Sequence, residues 1–347
     1  TPSMSVNNKA TSWIIDDTYV TSISSLPALV SQNFTWEKVG TINVGLDVNL
    51  FNNRLSGVFE WYQRNTNGML APGVQLPAVV GASAPYQNTA DMRTRGWELS
   101  LNWRDQIGKV GYRIGFNLSD YKSEIIKYDD NAATKLLSSY YPGQTLGEIW
   151  GYVVDGYYTV DDFVDTSSWQ LKEGVTSING YNVRPGDVKF KNLRDDDTST
   201  NVITSGDNTF DNPGDRKVIG NTTPRYQYGI NLGMNYAGFD LNVILQGTGK
   251  RDYWISNVLT FPMNGDNFVP LFEGLSDYWM PKDPDNGDWS AVNPNAKYPR
   301  IYGNRGNSGS NLRQSDKYLS DASYLRIKNI TLSYKLPKKW VNQIFLN

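Results

Sequence analysis

The feature that most constrains this chain is a strict alternation of apolar and polar residues over long stretches. In residues 226–236, every second position is apolar, and the positions between carry glutamine, asparagine or glycine. Neighbouring side chains of a β-strand point to opposite faces, so this pattern predicts a strand with one apolar and one polar face. An Ala237-Gly238 turn and a second alternating stretch from Phe239 follow, which predicts an antiparallel hairpin.

The same alternation recurs along the chain and predicts about seven strands. They occupy residues 41–50, 55–64, 96–104, 110–119, 226–236, the stretch from 239, and 324–336. Each length suits a tilted strand that crosses a hydrocarbon layer in about 9–11 residues. The turns inside each pair are short, whereas the segments 66–94, 122–220 and 252–317 are long. Short turns on one side and long loops on the other are typical of bacterial outer-membrane β-barrels.

We therefore predict an all-β chain of antiparallel transmembrane β-barrel strands with long extracellular loops. The predicted organisation is a loop and the lead into the first strand at 1–40, two hairpins at 41–121, a long extracellular loop at 122–220, a hairpin at 221–251, an extracellular loop at 252–317, and the last strand with a truncated turn at 318–347.

Aromatic residues gather near both ends of the predicted strands. In outer-membrane barrels, such side chains form girdles at the two membrane–water interfaces. The predicted girdle residues are Trp103, Tyr236, Phe239 and Tyr334 beside the short turns, and Trp61, Trp97 and Tyr226 toward the long loops.

The composition excludes several kinds of chemistry. The chain contains no cysteine and no histidine, which removes disulfides, thiolate metal sites and the usual catalytic base near neutral pH. The formal net charge is −2 without a clustered basic surplus, so a nucleic-acid partner is not expected. We predict no catalytic residue and do not expect an enzyme.

Soluble β-proteins also have strands with one apolar face. The polar faces here carry asparagine, glycine, glutamine and aspartate, which favours a hydrated lumen over the outer side of a soluble sandwich. A secreted, soluble β-sheet carbohydrate-active enzyme or glycan-binding module remains the alternative. If Trp97, Leu99 and Leu101 packed against a second sheet, the membrane interpretation would be wrong.

Seven motifs follow one another along the chain. They lie within residues 36–55, 94–99, 146–156, 186–190, 215–226, 295–300 and 322–330, and include Leu146-Gly147-Glu148-Ile149-Trp150-Gly151-Tyr152 and Gly186-Asp187-Val188-Lys189-Phe190. In this order, the motifs resemble the SusC/RagA family of TonB-dependent outer-membrane transporters, and the resemblance covers nearly the whole chain.

The resemblance implies the C-terminal part of a 22-stranded barrel with a plug in its lumen. Family members import oligosaccharides or peptides across the bacterial outer membrane together with a SusD-like surface lipoprotein. TonB supplies the energy through the plug region. The chain is therefore expected to be a barrel fragment without that region, surrounded by outer-membrane lipid.

The long segments carry candidate substrate-binding residues. Flat aromatic faces stack on sugar rings, and neighbouring polar groups bond the hydroxyls. The candidates are Trp150, Tyr253, Trp254, Trp279 and Trp289. The alternative is that these side chains pack the loops together.

An acidic run at Asp195, Asp196 and Asp197 occupies a position where family members often carry a calcium-type loop. The central glycine that permits the sharp turn of such a loop is absent here. A solvated acidic loop is therefore the alternative to a Ca²⁺ site, and no other cofactor is predicted.

Overall fold

The computed structural model describes residues 6–8, 14–15, 18–19, 22–24, 29–31, 34–73, 76–80, 84–128, 137, 140–194, 201–256, 271–302, 309–337 and 340–341. β-Strands dominate these residues, and among them no helix is long and apolar enough to span a membrane. Single-turn 3-10 helices lie at Ala78–Val80, Val160–Asp162, Glu273–Leu275, Pro284–Asn286 and Asp316–Tyr318.

The main architectural element is a seven-stranded sheet. Its strands are β1 (Lys38–Leu50), β2 (Leu55–Pro72), β3 (Tyr86–Ile107), β4 (Val110–Tyr128), β5 (Arg225–Tyr236), β6 (Phe239–Lys250) and β7 (Tyr324–Tyr334). Neighbours in the sheet follow this numbering, with β1 and β7 at the two edges, so the sheet is a simple meander. The pairs β4/β5, β5/β6 and β6/β7 are antiparallel.

Short strand pairs surround this sheet in the sequence. They are Val6–Asn8 with Ser22–Ser24, Ile14–Ile15 with Thr18–Tyr19, Glu148–Tyr152 with Arg216–Asn221, Val154–Tyr157 with Val188–Phe190, Ser177–Ile178 with Val202–Ile203, Asp252–Trp254 with Leu319–Asp321, and Pro281–Asp283 with Asp288–Ala291.

Backbone contacts group the chain into two compact units. The first comprises Thr1–Leu46, Glu60–Trp97 and Tyr121–Leu146, and the second comprises Asp47–Phe59, Glu98–Asp120 and Gly147–Asn347. In the first unit, the Ile125 amide donates to the Gln144 carbonyl and the Leu146 amide donates to the Ser123 carbonyl, both at 2.9 Å. These bonds hold the end of β4 against the segment that follows it.

The strand register places apolar residues opposite apolar residues, as the alternation predicts. Ile230 pairs with Phe116 and Leu245, Leu232 with Ile114 and Val243, and Met234 with Tyr112 and Leu241. A shift of one residue would move a whole apolar set to the other face. The second unit therefore carries one continuous apolar face and one mainly polar face, on which Ile244, opposite Asn231, is an apolar exception.

Several strands extend further than the alternation predicts. β2 continues from the predicted end at 64 to Pro72, β3 begins at Tyr86 instead of 96, and β4 runs on to Tyr128. The predicted segment 66–94 is therefore mostly strand. Beyond the predicted strand ends, apolar residues no longer alternate with polar ones. Backbone pairing does not require apolar side chains, so the strands continue there without a pattern that the sequence could show.

The last strand contains a β-bulge. Ile244 pairs with Asn329 and Leu245 with Ile327, which leaves Lys328 as an extra residue on β7. The bulge returns Ile327 to the face that Ile330 occupies, although three positions separate them. The strand ends at Tyr334, so Leu336, which the sequence placed on the apolar face, lies beyond it.

The segment predicted as the loop 122–220 holds a folded lobe with its own core. The core residues are Tyr152, Tyr158, Phe163, Ile178, Val183, Val188, Phe190 and Ile203. We call the described residues of 148–221 and 271–321 the loop lobe. Its strands are too short to show a period, which is why the sequence did not reveal them.

Candidate functional site

The apolar face of the sheet is exposed. The exposed fraction is 62% for Leu46, 38% for Leu232 and 67% for Leu332. Leu101, which the sequence used to separate a membrane protein from a soluble one, is 37% exposed. Among the described residues, neither buried cluster contains Trp97, Leu99 or Leu101. A contiguous exposed apolar surface of this kind marks contact with a partner or with lipid.

Aromatic side chains line this face beside the short turns. Tyr236 pairs with Phe239, Phe239 pairs with Tyr334, and the last two rings lie 4.5 Å apart between centroids. All three side chains are about half exposed. We call these residues the turn-side aromatic row. Rings that are half exposed beside an apolar band suit the boundary between hydrocarbon and water.

Trp103 lies near another short turn with two aromatic neighbours. Its indole Nε1 donates to the Tyr112 hydroxyl at 3.3 Å, and its ring meets Phe51 edge-on at 6.0 Å. Phe51 and Tyr112 were not among the predicted girdle residues. Tyr112 belongs to an apolar alternation and was detectable on that ground, whereas Phe51 sits in a turn with a φ of 55° and gives no periodic signal.

The three aromatic residues predicted toward the long loops are also partly exposed. Trp61 is 38% exposed, Trp97 is half-buried, and Tyr226 is 45% exposed at the start of β5. Tyr226 has a φ of 53°, an unusual conformation for a bulky residue. Trp61 and Trp97 belong to the first unit and Tyr226 to the second, so a shared girdle at this end stays a prediction.

The five predicted substrate-binding residues do not form one site. Trp150 meets Phe210 edge-on, Tyr253 is exposed, and Trp254 packs against the small cluster of Leu275, Tyr298 and Tyr318. Trp279 is only 2% exposed and lies over Gly186, where a Cβ would collide with its ring. For Trp254 and Trp279, packing within the loops explains the aromatic side chain.

Trp289 differs, because it belongs to a group of rings and guanidinium groups. We call Trp169, Arg184, Trp289, Arg300 and Tyr302 the Trp289 group. The two indoles meet edge-on at 5.0 Å, and the Arg300 guanidinium lies 4.8 Å from the Trp289 centroid and 5.0 Å from that of Tyr302. Arg184 lies 5.6 Å from Trp169, whose φ of 55° is strained for a tryptophan.

The acidic residues of the family motifs hold the loop lobe together. Asp187 is fully buried and accepts hydrogen bonds from the Tyr302 hydroxyl at 2.7 Å, the Asn311 amide group at 2.9 Å and the Arg184 backbone amide at 2.8 Å. Burial raises the pKa of Asp187, and these donors oppose the rise. Burial and the nearby Asp187 carboxylate also raise the pKa of Tyr302.

Asp215 has the same kind of role at another point in the lobe. It is fully buried and accepts from the backbone amides of Leu193 and Thr204, both at 2.8 Å. It also accepts from the amide of Arg194 at 3.3 Å. Both motif carboxylates are thus occupied by protein donors, and their placement is structural.

The predicted calcium residues Asp195, Asp196 and Asp197 lie outside the described residues. Within the part of the chain that the structure describes, no group of three or more acidic side chains is arranged to hold a metal ion. The Ca²⁺ site therefore stays a prediction.

Comparison with curated proteins finds TonB-dependent receptors. The chain is 27% identical over 333 residues to TonB-dependent receptor P3 of Formosa agariphila, covering 92% of this chain and 29% of that protein. It is 24% identical over 350 residues to TonB-dependent receptor SusC of Bacteroides thetaiotaomicron, covering 98% of this chain and 30% of SusC. The chain thus spans less than a third of the length of these relatives. No family model matches the chain.

Comparison with solved structures finds the same fold in an importer. A chain of the RagAB peptide importer in its closed-closed state superposes with a TM-score of 0.67 and 22% identity, covering 98% of this chain and 33% of that one. The open-open state gives a TM-score of 0.66 over the same 98% of this chain. The predicted antiparallel barrel-strand architecture is therefore confirmed.

Proposed function

We propose that this chain, which is similar to a TonB-dependent receptor over 92% of its length and to the receptor SusC over 98%, forms part of a nutrient importer in the bacterial outer membrane. Its seven sheet strands would contribute to the wall of a β-barrel, with the apolar face toward lipid and the polar face toward the water-filled interior. The chain's role is transport, and we assign no catalytic residue.

One observation carries this proposal. The register brings apolar side chains into unbroken rows across β4, β5, β6 and β7, and the side chains of these rows are exposed or only partly buried. Removing apolar surface from water contributes about 25 cal/mol per Å², so a surface of this extent is stable only when lipid or a partner covers it. The turn-side aromatic row along its edge favours lipid.

The chain contains no cysteine, so single labels can test the two faces directly. Asn231→Cys and Leu232→Cys are adjacent positions on opposite faces of β5. In lipid bilayers, we expect molecular oxygen, which concentrates in hydrocarbon, to increase the relaxation rate of a spin label at Leu232→Cys. For the label at Asn231→Cys, we expect a water-soluble nickel chelate to increase the relaxation rate instead.

The pair also contains its own control, because both variants share the strand and the depth in the bilayer. Equal access of the nickel chelate to both labels would contradict the membrane assignment. That outcome would favour the alternative of a soluble β-sheet protein. Such a protein needs a core that covers the apolar face, and the described part of the chain contains none.

Cargo and partners are a further part of the proposal. The cargo class is an oligosaccharide or a peptide, as the family resemblance implies, and the RagAB chain with the same fold belongs to a peptide importer. We propose a SusD-like surface lipoprotein as the partner and TonB as the energy source. Of the residues predicted to bind substrate, Trp289 is the best placed, because its group combines ring faces with guanidinium donors.

A further inference from the structure

A row of glycines crosses the polar face of β4 and β5. Four consecutive pairs each join a glycine on one strand to a longer polar residue on the other: Gly111 with Asn235, Gly233 with Arg113, Gly115 with Asn231, and Gly229 with Asn117. A Cβ on Gly111, Gly229 or Gly233 would collide with the side chain opposite. The glycines therefore allow these polar side chains to lie flat across the sheet.

The flat side chains leave a continuous depression, which we call the polar trough. Three hollows of about 300, 230 and 270 Å³ succeed one another along the two strands. The first and second share Asn102, Gly115 and Asn231, and the second and third share Asn117 and Gly229. The trough therefore has the elongated shape that an extended chain requires.

The chemistry of the trough is mostly that of neutral amides and hydroxyls. Its polar lining includes Ser100, Asn102, Asn117, Ser119, Gln227, Asn231 and Gln246, and the apolar Ile244 also lines the second and third hollows. Side-chain amides offer a donor and an acceptor, which matches the alternating groups of an extended peptide backbone. The aromatic residues along its walls, Trp103, Phe116 and Tyr228, belong to alternations that face the apolar side. Among the described residues, no ring is therefore presented to the trough for sugar stacking.

The end of the trough beside the short turns carries an excess of positive charge, and Lys328 lines the opposite end. Arg54 pairs with Asp105 at 3.2 Å, and Arg113 pairs with Asp240 at 3.3 Å. Arg104 also lines this end, but within the described residues it forms no ion pair. Its hydrogen bond to the Asn53 carbonyl is long, at 3.5 Å. One guanidinium is thus left for a carboxylate from elsewhere.

We propose that the polar trough binds an extended, acidic polypeptide segment, with a carboxylate on Arg104 and the backbone along the asparagine amides. This inference rests on the proposed function, because it requires the polar face to line a water-filled interior. The segment would bind without displacing any ion pair that the sheet already contains.

The test uses the full chain in detergent micelles and two fluorescent decapeptides. One is a glycine–serine peptide with two aspartates, and the other has asparagines in their place. We expect the acidic peptide to bind about tenfold more tightly at low salt, because charge-assisted hydrogen bonds are the stronger ones. Arg104→Gln should abolish the difference, measured by fluorescence anisotropy.

Two further variants separate charge from shape. Lys335→Gln removes one positive charge beyond the end of β7 and outside the trough, so it should preserve the tenfold preference. Ser100→Trp fills the middle hollow without a change in charge, so it should weaken the binding of both peptides. Ser100 lies within a strand and only partly buried, so the sheet should tolerate the larger side chain.

Equal affinity for the two peptides, or a preference that survives Arg104→Gln, would overturn the proposal. So would a neutral oligosaccharide that displaces the acidic peptide and shows the same sensitivity to Ser100→Trp, since the trough would then be a sugar site. The spin-label pair on β5 reports on the proposed function separately. Lipid contact at Leu232→Cys without peptide binding would reject the proposal that the trough binds a peptide and would leave the proposed membrane function in place.

Discussion

At the scale of single residues, two buried aspartates explain why acidic side chains stand in the motifs of the loop lobe. The Asp187 carboxylate accepts from a tyrosine, an asparagine and a backbone amide, and Asp215 accepts from three backbone amides. A buried acceptor left without donors costs about 1–3 kcal/mol or more. These residues therefore stabilise the lobe.

Tyr158 gives a prediction at this scale. It is fully buried, its hydroxyl donates to the Thr176 carbonyl at 2.6 Å, and burial raises its pKa to about 12 from 10.0. A raised pKa means that the folded state holds the proton more tightly. Tyr158 therefore contributes its full stability below pH 10 and loses it as the pH rises toward 12.

We expect the free energy of unfolding of the loop lobe to fall by up to about 3 kcal/mol across that alkaline range, at about 1.4 kcal/mol per pKa unit. Urea titrations followed by tryptophan fluorescence measure this, because Trp169 packs edge-on against Phe163 in the lobe core. Tyr158→Phe should be less stable at neutral pH by about 1 kcal/mol and should lose this part of the alkaline decline. An unchanged decline in the variant would show that another group titrates.

At the scale of elements, alternation predicted where strands lie but not where they end or bulge. The predicted starts at 55 and 110 match the observed strands, because a short turn directly precedes the apolar pattern at both positions. The extensions of β2, β3 and β4 carry no apolar repeat and were missed. The bulge at Lys328 was also missed, because it depends on pairing with β6 and not on the local sequence.

The bulge leads to a prediction about β7. Deletion of Lys328 removes the extra residue, so Ile327 and Ile330 become two positions apart in a regular strand and both keep the apolar face. Deletion of Lys328 and Asn329 together leaves them adjacent, which moves Ile327 to the polar face. A spin label at Ile327→Cys is expected to contact lipid in the otherwise unchanged chain and in the single-deletion variant, and water in the double-deletion variant. The label at Ile330→Cys should contact lipid in all three and serves as the control. Lipid contact at Ile327→Cys after the double deletion would show that the strand re-forms a bulge elsewhere.

At the scale of the whole molecule, the distribution of apolar surface separates the sheet from the loop lobe. The lobe buries its apolar residues in a core of its own, whereas the sheet exposes them. A protein in water would be unstable with this arrangement, and a protein in a bilayer would not be. This contrast underlies the assignment to a membrane more strongly than any single residue.

Solubility should follow from this contrast. We expect the chain to precipitate when detergent is diluted away. Substitution of Leu101, Ile114, Leu232 and Met234 by threonine, which retains β-propensity, should raise the share left in solution several-fold after ultracentrifugation. The same number of threonine substitutions on the polar face, at Asn102, Asn117, Asn231 and Asn235, provides the control. A chain that stays soluble and monomeric without detergent would argue for a soluble protein.

The sequence by itself determined the all-β class, the two-faced strands, the hairpin turns and the resemblance to SusC/RagA-type receptors. These properties are local, because side-chain alternation and motif order can be read without knowing what lies opposite. The tertiary structure alone decided the register, the bulge, the folded lobe and the fate of each loop aromatic. It showed that Trp279 is buried whereas Trp289 belongs to a group of rings and guanidinium groups. It also placed asparagines opposite glycines on the polar face, which forms the polar trough. Such features arise from residues far apart in the chain, whose contacts no local pattern records.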